Sequence, residues 1–324
     1  ADGYPRAAVA AIRGRNDGYI GCFQTHLYGQ RTNDLFRLGS ADRAWEIFNG
    51  LYRRRSWHDR DASGAADYSG NPPLGTADLV PHDAPDAQLM KYRTIFFLGR
   101  NTMDDALYGR LVRYVKAGGT LLLAASHLDV SDRPNAAFVP YNGGDWSELV
   151  GVKATGDSWP LPHGLKFSAN PAPGWKLGPL VPDWDPMYSG CGFRIPELEM
   201  AGATPIAVSS DLFMDRKFDA KNRPVAFAHR LGQGTVVFLA SLDSPGEACA
   251  RPVYSHLVDK ALEAVDVWPK VECSDRVRWS VYPDGTVYLL NTELNLRQEA
   301  ILRRSPGAAP ESVMLAPGEL VRKN

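Results

Sequence analysis

The stretch from residue 76 to residue 126 constrains the fold more than any other part of the chain. It runs TADLVPHD, APDAQLMKY, TIFFLGR, MDDALYGRLVRYVKAG and TLLLAAS, so short apolar runs alternate with segments of helical spacing. The unbroken apolar run of TIFFLGR suits a strand covered on both faces. MDDALYGRLVRYVKAG carries acids in its first turn and a glycine, Gly118, at its stop, as a helix should. Strands joined by single helices and short links must pair in parallel through crossovers, which predicts an α/β sheet flanked by helices. AAVAAIR (residues 7–13) extends the pattern upstream as a buried strand. ADRAWEIFNGLY follows as a helix, with Ala44, Ile47, Phe48 and Leu51 on one face behind a Ser40 or Asp42 cap.

Downstream the pattern changes twice. Between residues 131 and 200 the periodicity fades into Pro, Gly and Trp, predicting irregular structure and short antiparallel strands. ATPIAVSS, the hairpin RPVAFAHRLGQGTVVFLAS and the helix PVYSHLVDKALEAV then close a first domain, residues 1–265. In residues 266–324 no helical spacing recurs. RVRWSVYPDGTVYLLNT reads as a hairpin turning at Pro283-Asp284-Gly285, so this part is expected to be a small all-β sandwich.

The 324 residues exceed what one core usually holds, roughly 250 to 300 residues, which agrees with two domains. A net charge of −1 with scattered basic residues excludes a polyanion-binding footprint, so no nucleic-acid partner is expected. No apolar run approaches the roughly 18 residues of a membrane span, and no membrane partner is expected. The chain is expected to be soluble, cytoplasmic or exported. It begins with Ala, which predicts removal of something upstream. Cys22, Cys191, Cys249 and Cys273 lack metal-ligand spacing. Neither a metal site nor another cofactor is expected, and Cys22 and Cys249 read as core thiols.

KYRTIFFLGRNTMDDALYGRLVRYVKAGGTLLLAA and the later RPVAFAHRLGQGTVVFLASLDSPG together resemble the trimerisation domain of family 42 β-galactosidases. That domain is similar to class I glutamine amidotransferases and is flavodoxin-like. The tail with YPDGTVYLLNT is similar to the small C-terminal β-domain of the same enzymes. The resemblance implies a homo-oligomer, with a trimer the form the family suggests, and a carbohydrate substrate. It also implies catalytic glutamates on a (β/α)8 barrel of about 250 residues, for which this chain has no room. The barrel is then expected in cis or as a separate chain.

Three residues of this chain are candidates for chemistry of its own. Ser126 and His127 follow TLLLAA, where amidotransferases place a nucleophile on a tight turn, but they lack its flanking glycines and its cysteine. On a strand, neighbouring side chains also point to opposite faces. Cys191 does have flanking glycines, yet it opens no helix. A glycosidase needs two carboxylates about 5 to 9.5 Å apart, and no spacing among Glu46, Asp59, Asp61, Asp145, Glu148, Asp183, Asp185, Glu197 and Glu199 selects a pair. Trp57-His58-Asp59 and Trp184-Asp185 join an aromatic platform to hydrogen-bonding groups, which suits sugar binding. The resemblance implies loops that border a neighbouring subunit's pocket. The competing readings are a self-sufficient hydrolase using Ser126 or Cys191, and a non-catalytic glycan-binding module.

Overall fold

The computed structural model describes residues 4–17, 40–52, 74–132, 136–160, 165–167, 171–177, 193–209, 223–274 and 276–324. Two compact units divide the chain. One comprises Ala11–Ile47 and Leu79–Ala264; the other comprises Ala1–Ala10, Phe48–Asp78 and Val265–Asn324.

In chain order the α/β part supplies β1 (Val9–Arg13), α1 (Ser40–Arg43), α2 (Trp45–Tyr52), β2 (Ala77–Pro81), α3 (Asp86–Leu89), β3 (Thr94–Phe97), α4 (Asp105–Lys116) and β4 (Thr120–Ala124). It continues through β5 (Val152–Pro160), β6 (Leu165–Phe167), β7 (Arg194–Met200), β8 (Thr204–Ser209), β9 (Pro224–Leu231), β10 (Gly234–Leu239) and α5 (Ala250–Glu263). Eight strands form one sheet in the order β2-β1-β3-β4-β10-β9-β8-β6, and β5 and β7 pair separately. β3, β4 and β10 are parallel, whereas β9 pairs antiparallel with both β10 and β8. The order 2-1-3-4 is that of a flavodoxin-like doubly wound sheet, in which the direction of winding reverses between β1 and β3.

The local causes are those the sequence carries. Every residue of β3 is buried, as its apolar run requires. Asp104 caps α4 by accepting from the Leu107 amide at 2.8 Å, and Leu107, Leu111, Val112, Tyr114 and Val115 form the buried face. Val253, Tyr254, Leu257, Val258 and Ala261 do the same for α5, and the Tyr254 hydroxyl donates to the Phe97 carbonyl at 2.6 Å. Each such apolar side chain contributes about 1.5–3 kcal/mol by leaving water.

Three local expectations differ from what is observed. APDAQLMKY makes only the single turn α3, because the chain must reach the start of β3 at Thr94 a few residues later. The expected helix over residues 41–52 breaks at Ala44 into α1 and α2. Cys249 is buried and disulfide-bonded rather than a thiol, with its partner outside the described residues; Cys273 is a thiol, its Sγ 3.7 Å from the Val277 carbonyl. Small apolar surroundings suit a thiol and a cystine alike, so only the tertiary approach of two cysteines separates them.

The second unit is antiparallel. β11 (Lys270–Cys273), β14 (Gln298–Arg303) and β15 (Glu311–Leu315) form one three-stranded sheet; β12 (Val277–Val281), β13 (Val287–Asn291) and β16 (Leu320–Lys323) form another. β12 and β13 alternate buried and half-buried residues and pair through the predicted turn, where Gly285 adopts φ +84°. Val277, Trp279, Val287, Leu289, Leu302 and Leu315 build its core. The N-terminal segment belongs here: the Arg6 amide donates to the Val281 carbonyl at 2.6 Å, and Gly75 approaches the Trp279 ring too closely for any side chain. Among the described residues, no helix is long and apolar enough to cross a membrane.

Candidate functional site at the carboxyl ends of the parallel strands

Open α/β sheets bind ligands beyond the carboxyl ends of their strands, at the point where the winding reverses. Here that point lies between the segments that leave β1 and β3. Gly14 follows β1 and sits so close to the Arg100 carbonyl, just after β3, that a Cβ there would overlap it. The Asp17 carboxylate fills the space between the two segments. It accepts from the Gly14 amide at 2.7 Å through Oδ2 and from the Arg100 amide at 2.7 Å through Oδ1. The Trp45 side chain at the start of α2 hydrogen-bonds it as well. Burial pushes Asp17 up to about 6, while these bonds and the Arg13 charge pull it back.

Around this carboxylate the same edge is polar. Asn16 donates to the Thr102 hydroxyl at 2.5 Å, and Thr102 donates to the Ser131 carbonyl at 2.9 Å. Arg15 pairs with Asp104 at 2.5 Å, and its Nε lies 3.5 Å from His82 Nε2, beyond the end of β2. Burial lowers the His82 imidazole below its ordinary value, Asp83 and Asp104 oppose that shift, and Arg15 and Arg110 add to it. Asn101 is buried; its Nδ2 donates to the His127 carbonyl at 3.1 Å, but its Oδ1 has no hydrogen-bond partner among the described residues.

Ser126 and His127 stand at the end of β4, though not on a strand: Ala125–Leu128 is a 3₁₀ turn. His127 is wholly buried against Phe97, with ring centroids 5.2 Å apart. Its Nδ1 accepts from the Ala124 amide at 2.9 Å, which places the proton on Nε2, 3.3 Å from the Leu98 carbonyl. Burial holds the imidazole down to about 4. Both ring nitrogens therefore serve the backbone, and His127 has no lone pair to offer Ser126. The Ser126 amide donates to the Ser241 carbonyl at 2.9 Å, and its buried hydroxyl has no hydrogen-bond partner among the described residues. A serine without a base is not an activated nucleophile.

The remaining candidates fall into two groups. Cys191, Trp57, His58, Asp59, Trp184 and Asp185 lie outside the described residues, as do Asp61 and Asp183. Of the described carboxylates, Glu46 pairs with Arg251, Glu148 with Lys116 at 2.8 Å, Asp145 with Lys153 at 3.2 Å and Glu197 with Arg223 at 2.6 Å. These are exposed ion pairs on separate elements. Among the described residues, no group of three or more His, Cys, Asp or Glu side chains gathers in a way that would hold a metal. Sequence reasoning missed Asp17 and His82. Asp17 reads as an ordinary turn residue in RNDG, and the available signal was a glycine just past each of two parallel strands, Gly14 and Gly99.

The fold is thus a flavodoxin-like α/β domain in which, among the described residues, Asp17 fills the point where the winding reverses. No family model matches the sequence, and no curated protein matches it. Among solved structures, the chain is similar to the β-galactosidase of Bacillus circulans sp. alkalophilus, at 13% identity and a TM-score of 0.55 over 99% of its length. It covers 42% of that chain, so it spans less than half the length of this neighbour. It is also similar to a β-galactosidase of the Antarctic haloarchaeon Halorubrum lacusprofundi, at 18% identity and a TM-score of 0.46, covering 99% of this chain and 40% of that one. A third neighbour is α-L-fucosidase isoenzyme 2 of Paenibacillus thiaminolyticus, at 10% identity and a TM-score of 0.48, covering 92% of this chain and 42% of that one. Of these three, the first alone exceeds a TM-score of 0.5, and at its identity it defines the fold: an α/β domain followed by a β-domain.

Proposed function

We propose that this chain is the oligomerisation and substrate-site-bordering part of a β-galactosidase-like glycoside hydrolase, with catalysis carried by a barrel outside these residues. The observation that carries this reading is the likeness to a β-galactosidase over 99% of this chain and 42% of the other. Fold likeness is an associational warrant for function, so a physical observation has to stand beside it. That observation is the state of the sheet edge. Asp17 fills the winding reversal, and both ring nitrogens of His127, the base next to Ser126 in sequence, are engaged by the backbone, which supports a reading without chemistry of its own at this edge.

In this reading the α/β domain assembles copies of the protein, with a homotrimer the form expected. Trp57, His58, Asp59, Trp184 and Asp185 border the sugar pocket of a neighbouring barrel, stacking on C–H faces and bonding hydroxyls. The test is hydrolysis of aryl β-galactosides by the chain alone and together with a barrel-bearing polypeptide. The expected result is no turnover alone and turnover on association, with Trp57→Ala raising KM. Turnover by the chain alone that disappears in Ser126→Ala or Cys191→Ala would replace this reading with that of a self-sufficient hydrolase.

A further inference from the structure

We infer that the winding reversal between β1 and β3 is a carboxylate receptor occupied in cis, with Asp17 as its built-in ligand. The inference stands on geometry and does not depend on the glycosidase reading.

Three donors from three separate segments converge on one buried carboxylate: the Gly14 amide after β1, the Arg100 amide after β3 and the Trp45 side chain on α2. Two backbone amides aimed at one anion make the kind of concavity that holds oxyanions in many proteins. Here the chain itself supplies the anion. Asp17 also closes a turn, its amide donating to the Gly14 carbonyl at 3.3 Å, so the ligand is tethered three residues from one of its donors.

Gly99 shows that the space is reserved for the carboxylate. A Cβ built there would overlap the Asp17 carboxyl group, and no other group crowds it as closely. Its backbone lies outside the left-handed region, so an L-residue could adopt the same conformation. The Asp17 carboxyl group by itself therefore excludes a side chain at 99, whatever the backbone would allow. Among the described residues the titratable group that faces Asp17 is Arg13, whose charge favours the ionised form, and with burial raising the carboxyl only to about 6 that form dominates at neutral pH.

Removing the Asp17 side chain should leave three inward donors around a space of carboxylate size. Formate is the matching probe, because it carries the same two oxygens and little else. In Asp17→Gly of the full chain, the Tm is expected to fall by roughly 5–10 °C. Formate should restore a saturable part of that loss, while equal concentrations of chloride should not and wild type should not respond. The second arm is a double-mutant cycle. Gly99→Ala is expected to lower the Tm in wild type, yet to cost little or raise the Tm in the Asp17→Gly background, where its methyl enters vacated space. Should Asp17→Gly be too unstable to purify, the double variant carries the test, because it is expected to fold where the single one does not. Additive losses in the cycle, no formate response beyond that of wild type, or a double variant that fails to fold while Asp17→Asn folds would each overturn the inference.

Discussion

Asn291 and Asn101 are both buried asparagines, one in the β unit and one in the α/β unit, and they are treated in opposite ways. Asn291 Nδ2 lies within hydrogen-bonding distance of the carbonyls of Leu296, Leu315 and Ala316, and its Oδ1 accepts from the Glu293 amide at 2.9 Å. Asn101 makes one bond, to the His127 carbonyl, and leaves Oδ1 unpaired. The β unit has thus turned its buried polar group into scaffold, joining the strand end at Asn291 to the segments around Leu296 and Ala316. The edge of the α/β sheet keeps polar atoms that its fold does not use.

The comparison predicts unequal costs. Asn291→Ala strands several buried groups at once and should destabilise by about 3–5 kcal/mol in denaturant unfolding, whereas Asn101→Ala should cost only about 1 kcal/mol. Equal costs would break the contrast. Next in size is reduction. Cys249 lies in the α/β unit and is disulfide-bonded, whereas Cys273 is a thiol, so thiol titration of the unreduced, denatured protein should read two of the four cysteines. Reduction should cost roughly 2–4 kcal/mol, and Cys273→Ser little. A reading of four thiols would show that the bond does not form.

The two buried titratable groups at the sheet edge should respond to pH with opposite signs. The folded-state value of His127, about 4, lies below the ordinary value of 6.5, so its contribution is full above pH 6.5 and is lost as pH falls towards 4. Asp17 is raised from 3.8 to about 6, so its contribution is full below 3.8 and is lost as pH rises through 6. Each swing is about 3 kcal/mol at most. His127→Gln should therefore lose less stability than wild type on acidification from pH 6.5 to 4, and Asp17→Asn should lose more. The same sign of change in both variants would contradict the buried, neutral state assigned to His127.

Much of the architecture was legible because it rests on local chemistry. TIFFLGR holds the strand Thr94–Phe97, buried on every residue, Asp104 caps the helix that the acids of MDDALYGRLVRYVKAG announce, and Pro283-Asp284-Gly285 turns a hairpin. The site was much less so. TLLLAAS stops at Ala124 because a side chain three residues later captures the Ala124 amide, which no periodicity encodes. Ser126-His127 looks like a nucleophile beside a base until the ring is seen bonding the backbone on both sides. Asp17 acquires its role only when β1 and β3 lie side by side, since two of its three donors lie 28 and 83 residues away in sequence, at Trp45 and Arg100.

The central claim is that this chain assembles rather than catalyses, and the most direct test is its mass in solution by light scattering. The account predicts a concentration-stable multiple of 35.6 kDa, with three copies the form proposed. A species that remains at 35.6 kDa at every concentration, with or without a barrel-bearing partner, would contradict it.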